Sequence, residues 1–276
     1  MTIYSMIKNQ AIKKKNSIGF LLFLFVGSSI FICWRNSDPA WMVEKHYRWD
    51  VYYTGQDKDL IEEYDKLFDQ GAIEVSRFFN TGYKNRFNIF IHPNRHSLDS
   101  AWQKDWSLPD FKSECWMVAS GIATKLDIIS PKSWDSQSCE HSYSQKTNVQ
   151  RLITHELVHV FHGQFNESPD FSKTEGIDWF VEGLANYASG QCDSVRILEI
   201  KKAIHENAIP ATLDSFWTGK LRYGLSGSVV LYIDQHYGRS TLIKLLPMSK
   251  KSQILSALGI PEGDLLKEWR AYLQNY

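Results

Sequence analysis

The chain has 276 residues, 43% of them hydrophobic and 14% aromatic, and equal numbers of basic and acidic side chains give it a formal charge of zero. That composition describes a globular chain with enough apolar material for a sizeable core, not a disordered one. A neutral balance supplies no basic field for a nucleic-acid partner, and no internal repeat or low-complexity segment is visible.

Residues 1–16 contain Lys8, Lys13, Lys14 and Lys15 and no acid. Residues 17–34, SIGFLLFLFVGSSIFICW, are uncharged. At about 1.5 Å per residue this stretch spans roughly 27 Å, close to the thickness of a hydrocarbon core. After it, Arg35, Lys45 and Arg48 are balanced by Asp38, Glu44 and Asp50. The positive-inside rule then predicts a cytoplasmic segment 1–16, a single transmembrane signal anchor at 17–34, and everything beyond on the extracytoplasmic side. For a bacterium that is the periplasmic face of the inner membrane. The alternative is a signal that is cleaved or lipidated. However, no small-residue cleavage site is evident near 30–36, and Ile32 is a poor residue before a lipidated Cys33.

Past the apolar segment, HYRWDVYYT (46–54) has strand composition. Residues 57–79 place Leu60, Ile61, Tyr64, Leu67, Phe68, Ala72 and Val75 at helical spacing. RFNIFIH (86–92) alternates as a strand with Phe87, Ile89 and Ile91 on one face. A short helix follows Pro93, and GIATKLDIISP (121–131) reads as one further strand ended by Pro131. Cys115, Cys139 and Cys192 lie beyond the apolar segment. Three thiols allow at most one intrachain bridge; an oxidising compartment permits Cys115–Cys139, but the sequence leaves the pairing open. No CxxC spacing suggests that cysteines bind a metal.

The next helix is expected to start at Thr147, with Thr147 and Gln150 as a capping box and Gly163 as its stop. It contains THELVHVFHGQF (154–165). On a helix His155 and His159 project from one face, four residues apart, and Glu156 lies about 100° around from His155. This H-E-x-x-H spacing suits a pair of imidazole ligands with a nearby carboxylate base. The competing reading is an amphipathic helix whose histidines are satisfied within a core. A catalytic zinc needs a third protein ligand. Glu182, 23 residues after His159 in WFVEGLANY, can reach the same ion if the loop SPDFSKTEGI turns the chain back. Gly183 costs about 1 kcal/mol in a helix interior relative to Ala, which hints at a close approach there. His162 and Glu175 are weaker candidates, read as a core or supporting residue and a surface charge. His46, His92, His96, His141, His205 and His236 have no motif context. Residues 194–276 read as helices only, so strand-rich 46–131, site helices 147–190 and a helical remainder predict an α+β domain over 40–276.

HELVH followed by WFVEGLANY resembles the gluzincin metallopeptidases, whose pattern is HExxH and then a ligand glutamate in W-x-x-E-G-x-A-x-Y. Residues 40–276 are similar to the peptidase MA-like domains of bacteria. The likeness extends to ASGIAT…DIISP, RYGLSGSVVLYIDQHYG (222–238) and ALGIPEGDLLKEWRAYL (257–273). The resemblance implies a thermolysin-like domain with a small N-terminal mixed sheet and a C-terminal helical lobe. It implies one Zn2+ per chain on His155, His159 and Glu182, with Glu156 as general base and Tyr223 as oxyanion donor. Asn186 stands where thermolysin-like relatives often carry an acid that orients a zinc histidine, and its side-chain carbonyl is expected to take over that contact. Ala119, Gly121, Ile122 and Ala123 are expected to pair with an extended polypeptide substrate. The G-x-M-E-N segment of the clan's aminopeptidases is absent, MVASGIATK occupying the comparable stretch, so endopeptidase action is expected. A membrane-tethered peptide-binding module without catalysis is the alternative.

Overall fold

A computed structural model of the chain describes residues 40–276. The apolar segment 17–34, Cys33 and the anchor expectation attached to them lie outside the described residues. Among the described residues, no helix is long and apolar enough to cross a membrane.

The fold is α+β. Strands β1 (Met42–Lys45), β2 (Trp49–Tyr53), β3 (Phe87–His92), β4 (Ala119–Ile122) and β5 (Lys125–Ile129) form one mixed sheet in the order β1-β2-β3-β5-β4. The pairs β2–β3 and β3–β5 are parallel, while the two outer strands are antiparallel to their neighbours. Alternation does the work expected of it: Trp49, Val51 and Tyr53 in β2, and Phe87, Ile89 and Ile91 in β3, turn into the core. Helix α1 (Ile61–Phe79) joins β2 to β3, burying Tyr64, Phe68, Ala72, Val75 and Phe79, and ends at Asn80 in the left-handed conformation. Helix α2 (Arg95–Asp105) starts at Asn94, whose side chain accepts the Ser97 N–H at 2.9 Å. A short helix α3 (Trp134–Gln137) leads towards the centre of the molecule.

That centre is α4 (Lys146–Phe165), in which every residue from 152 through 163 is buried. A helix that is covered all round needs neighbours on every side. It has α1 on one flank, β4 on another and α5 (Asp178–Ala188) on a third. The rest of the chain forms the lobe α6 (Ser194–His205), α7 (Arg222–Tyr237), α8 (Arg239–Leu245), α9 (Lys251–Leu258) and α10 (Glu262–Asn275). At Gly183 of α5 an added Cβ would stand 2.4 Å from the Ser226 carbonyl oxygen of α7, so these two helices meet backbone to backbone.

Four local expectations change. The stretch 121–131 is a hairpin, β4 turning into β5, and not one strand. β1 was not anticipated, and the strand expected over 46–54 covers 49–53. The Thr147–Gln150 capping box does not form: α4 begins one residue earlier without a side-chain cap, and Gln150 Nε2 donates to the Leu67 carbonyl at 3.0 Å. Gly163 does not stop α4, which runs on to Phe165. Its role is contact, because a Cβ there would lie 2.6 Å from the Pro169 carbonyl oxygen and 2.7 Å from the Ala123 nitrogen.

Candidate metal centre and cleft

His155 and His159 leave α4 on the face turned towards α5, which brings Glu182 to meet them. The two Nε2 atoms are 3.0 Å apart, and Glu182 Oε2 is 3.5 Å from the first and 3.6 Å from the second. Ligand atoms around a tetrahedral zinc, each about 2.0–2.1 Å away, stand roughly 3.3 Å from one another. The three side chains, all buried, therefore have the spacing and donor types of a zinc centre. Both Nδ1 atoms are buried without a hydrogen-bond partner, so packing, including the Phe171 ring 6.2 Å from that of His159, orients the imidazoles.

The electrostatics separate the two glutamates. Burial opposes ionisation of Glu182, yet the imidazoles of His159 and His155 hold its carboxyl down at about 2, so it is an anion at neutral pH. Glu156 lines the same cleft but is not one of the three grouped donors. Burial pushes it up to about 7, His155 and the charge on Glu182 acting in opposite directions, and the Gly121 N–H donates to its carboxylate. A carboxyl poised near neutrality can both take and release a proton. At Gly121 an added Cβ would fall 2.2 Å from the Glu156 carbonyl oxygen, so β4 lies directly on α4 at this point.

A cleft of about 620 Å³ opens over the triangle. One wall is the segment from Trp116 to Gly121. The other comes from the helical lobe, with Arg196, Trp217 and Tyr223. Tyr223 lies in the first turn of α7. Burial raises its pKa although Arg222 works against the rise, so the hydroxyl keeps its proton and can donate. Of the expected substrate strand, Ala119 and Gly121 line the cleft, as does Ser120 between them; Ile122 and Ala123 do not. Ala123 uses its N–H on the Pro169 carbonyl at 3.0 Å, holding the hairpin turn instead.

Asn186 does not make the contact expected of it. Its Nδ2 donates to the Glu182 carbonyl one turn back at 2.8 Å, and its Oδ1 is without a partner. His162 is buried away from the triangle, with Nε2 3.1 Å from the Leu246 carbonyl, and burial pushes its imidazole down to about 3. Glu175 is exposed and 3.7 Å from Lys250.

The cleft wall carries the bridge that the sequence permitted but left open, and features that motif reasoning passed over. Cys115 and Cys139 form a disulfide, tying the segment before β4 to the loop that carries Glu140 and His141. Arg95 fastens the same wall, donating to Ser113 Oγ (2.7 Å) and to the carbonyls of Glu114 (2.8 Å), Cys115 (3.0 Å), Met117 (2.7 Å) and Gln137. His141 lines the cleft although its sequence context is silent. The cysteines bracketing this stretch were the available signal. Cys192 is free and half-buried, and desolvation pushes its thiol up to about 12, which leaves it protonated at neutral pH. No protein-family model matches the chain, and no curated protein matches it.

Proposed function

We propose that the chain is a zinc-dependent peptidase of the gluzincin type, an endopeptidase acting on an extracytoplasmic polypeptide. The observation that carries this reading is the convergence of His155, His159 and Glu182 at zinc-ligand spacing, with Glu156 beside them and outside the triangle. A bound zinc ion supplies Lewis acidity, polarising the scissile carbonyl and easing deprotonation of the attacking water at neutral pH.

The chain's own residues do the rest. Glu156 accepts the proton of the attacking water and hands it to the leaving amine. The Gly121 amide fixes the orientation of that carboxylate. Tyr223 donates its hydroxyl hydrogen to the oxyanion that develops on the carbonyl. β4 ends the sheet, so its outer edge is open to an extended peptide by strand addition. Because Gly121 already spends its N–H on Glu156, Ala119 is the residue left for that pairing. The disulfide supports an oxidising, extracytoplasmic setting, in keeping with an anchor at 17–34.

The test is metal content and turnover on the purified full-length chain. Wild type and Glu156→Gln should each retain one zinc, and Glu182→Ala should lose it. Peptide cleavage should fall by roughly 10²–10⁴-fold in Glu156→Gln. Cleavage by that variant at the wild-type rate, or a well-folded wild type without affinity for zinc, would sink the reading.

A further inference from the structure

At the end of the sheet opposite β4, three further side chains with metal-ligand chemistry converge. Glu44 of β1, His46 in the turn that follows and Asp65 of α1 each bring one donor atom within 4.8 Å of the others. His46 Nε2 and Asp65 Oδ1 are 3.5 Å apart. Both atoms are shut off from solvent, and neither has a hydrogen-bond partner. Buried polar atoms normally find one, and leaving them without one costs free energy. Glu44 Oε1 accepts a long bond of 3.5 Å from the Tyr53 hydroxyl. Among the described residues, no lysine or arginine pairs with either carboxylate. Asp69, one turn along α1, adds a third negative charge to the neighbourhood. Carboxylates drawn together away from water call for a cation.

The turn that carries His46 is fixed independently of its imidazole. Its N–H donates to the Trp49 carbonyl at 2.9 Å, its carbonyl accepts from Arg86 Nη1 at 2.7 Å, and its ring packs against that of Trp49 with centroids 6.2 Å apart. Such a frame holds the ring in one place, as a metal ligand requires. Ligand atoms on one tetrahedral ion stand roughly 3.3 Å from one another. The His46–Asp65 edge already has nearly that length, and Glu44, on a long half-buried side chain, closes the remaining gap by rotation. Two carboxylate oxygens and one imidazole nitrogen suit a divalent transition-metal ion. A histidine–aspartate ion pair alone does not account for a second carboxylate brought to the same point.

We propose that Glu44, His46 and Asp65 form a second site for a divalent transition-metal ion, one that ties the outer strand β1 to α1. The ladder of β1 runs to β2 alone, so the ion adds a fastening at this end of the sheet. The His46 side chain is 29% exposed, against 9% and 5% for His155 and His159 in the cleft. Water can therefore complete the shell, and the ion exchanges more readily than at the buried centre. The site is read by titration, not by the metal that survives purification. This inference does not rest on the peptidase reading.

The probe is Zn2+ alone, titrated calorimetrically into full-length Glu182→Ala, whose cleft centre has lost a ligand. One ion per chain should bind. Adding His46→Ala or Asp65→Asn should weaken that binding by about tenfold or more, whereas replacing an exposed histidine, His96→Ala, should leave it unchanged. The same Zn2+ should slow deuterium exchange over 42–45, and His46→Ala should remove that protection. Should Glu182→Ala fail to fold, zinc-loaded wild type takes its place, and the ion counted is the one beyond the centre's. No uptake, or uptake that His46→Ala leaves untouched, overturns the inference. The two readings fail separately. Wild type that binds zinc only through His46, with nothing lost on Glu182→Ala, overturns the cleft centre and leaves this site standing. Zinc lost with Glu182→Ala and no second ion on titration does the reverse.

Discussion

Glu156 and Gly121 form one unit: the amide of the strand residue holds the carboxylate, and the missing side chain lets strand and helix touch. Gly121→Ala forces a Cβ against a backbone carbonyl, which cannot swing aside as a side-chain end would. Gly183→Ala meets the Ser226 carbonyl in the same way. Each should lower stability by about 1–3 kcal/mol in denaturant titration. Gly263→Ala, a glycine of α10 with open space around it, should instead be neutral or gain up to about 1 kcal/mol. Equal losses at all three positions would contradict the packing. At this scale much of the centre was legible, because His155, Glu156 and His159 share a single helix and their spacing fixes their directions. Glu182 was legible only through the order of two motifs. His141 and Trp116 were not, since they reach the cleft from segments that only tertiary folding brings near. Asn186 was misread because its amide finds a carbonyl on its own helix.

Among the elements, β3 and β5 are bound by more than their ladder. His92 Nε2 is 3.1 Å from Asp127 Oδ1, its Nδ1 is 3.0 Å from Ser97 Oγ of α2, and Lys125 lies 2.7 Å from Asp127 Oδ2. Burial alone would raise the pKa of Asp127, but His92 and Lys125 outweigh it and hold the carboxyl below its usual range. A depressed carboxyl stabilises the fold above its unfolded value of about 3.9, and that contribution fades as pH falls through the folded value. Asp127→Asn should therefore cost roughly 3 kcal/mol or more near neutrality, measured by urea unfolding. The gap between variant and wild type should narrow below about pH 4. A gap independent of pH from 3 to 7 would rule out this origin. Elements were legible where periodicity ran long, as in α1 and α4. The β4–β5 hairpin was missed because its turn, Ala123 and Thr124, carries none of the Gly, Asn or Pro that mark turns. Gln150 matched a capping pattern but was drawn off by the carbonyl of Leu67.

For the whole molecule, the sheet, α4 and the helical lobe share one hydrophobic core, and the cleft runs between the β4 wall and the lobe. The Cys115–Cys139 bridge, spanning 24 residues of sequence, stabilises the fold by about 3 kcal/mol in the chain-entropy picture. Because it also ties two parts of the cleft wall together, reduction should impair peptide cleavage at temperatures well below unfolding. An activity that tracks only the melting curve would assign the bridge to stability alone. Removing zinc with a chelator should lower the melting temperature of wild type but not of Glu182→Ala, since a ligand held only by the folded state stabilises it by mass action.

The burial of α4 has a kinetic corollary. A helix covered by neighbours on every flank gives its amide protons no local route to solvent, so their exchange with deuterium must wait for an opening of the domain as a whole. His155 and His159 thus sit on a segment expected to be among the slowest to exchange, whereas the loop at 138–145 should exchange early. Deuterium uptake followed by mass spectrometry would then show a rigid floor beneath a pliable rim. In such a molecule the cleft wall can drift in sequence and shape while the two histidines stay in register until the fold itself is lost.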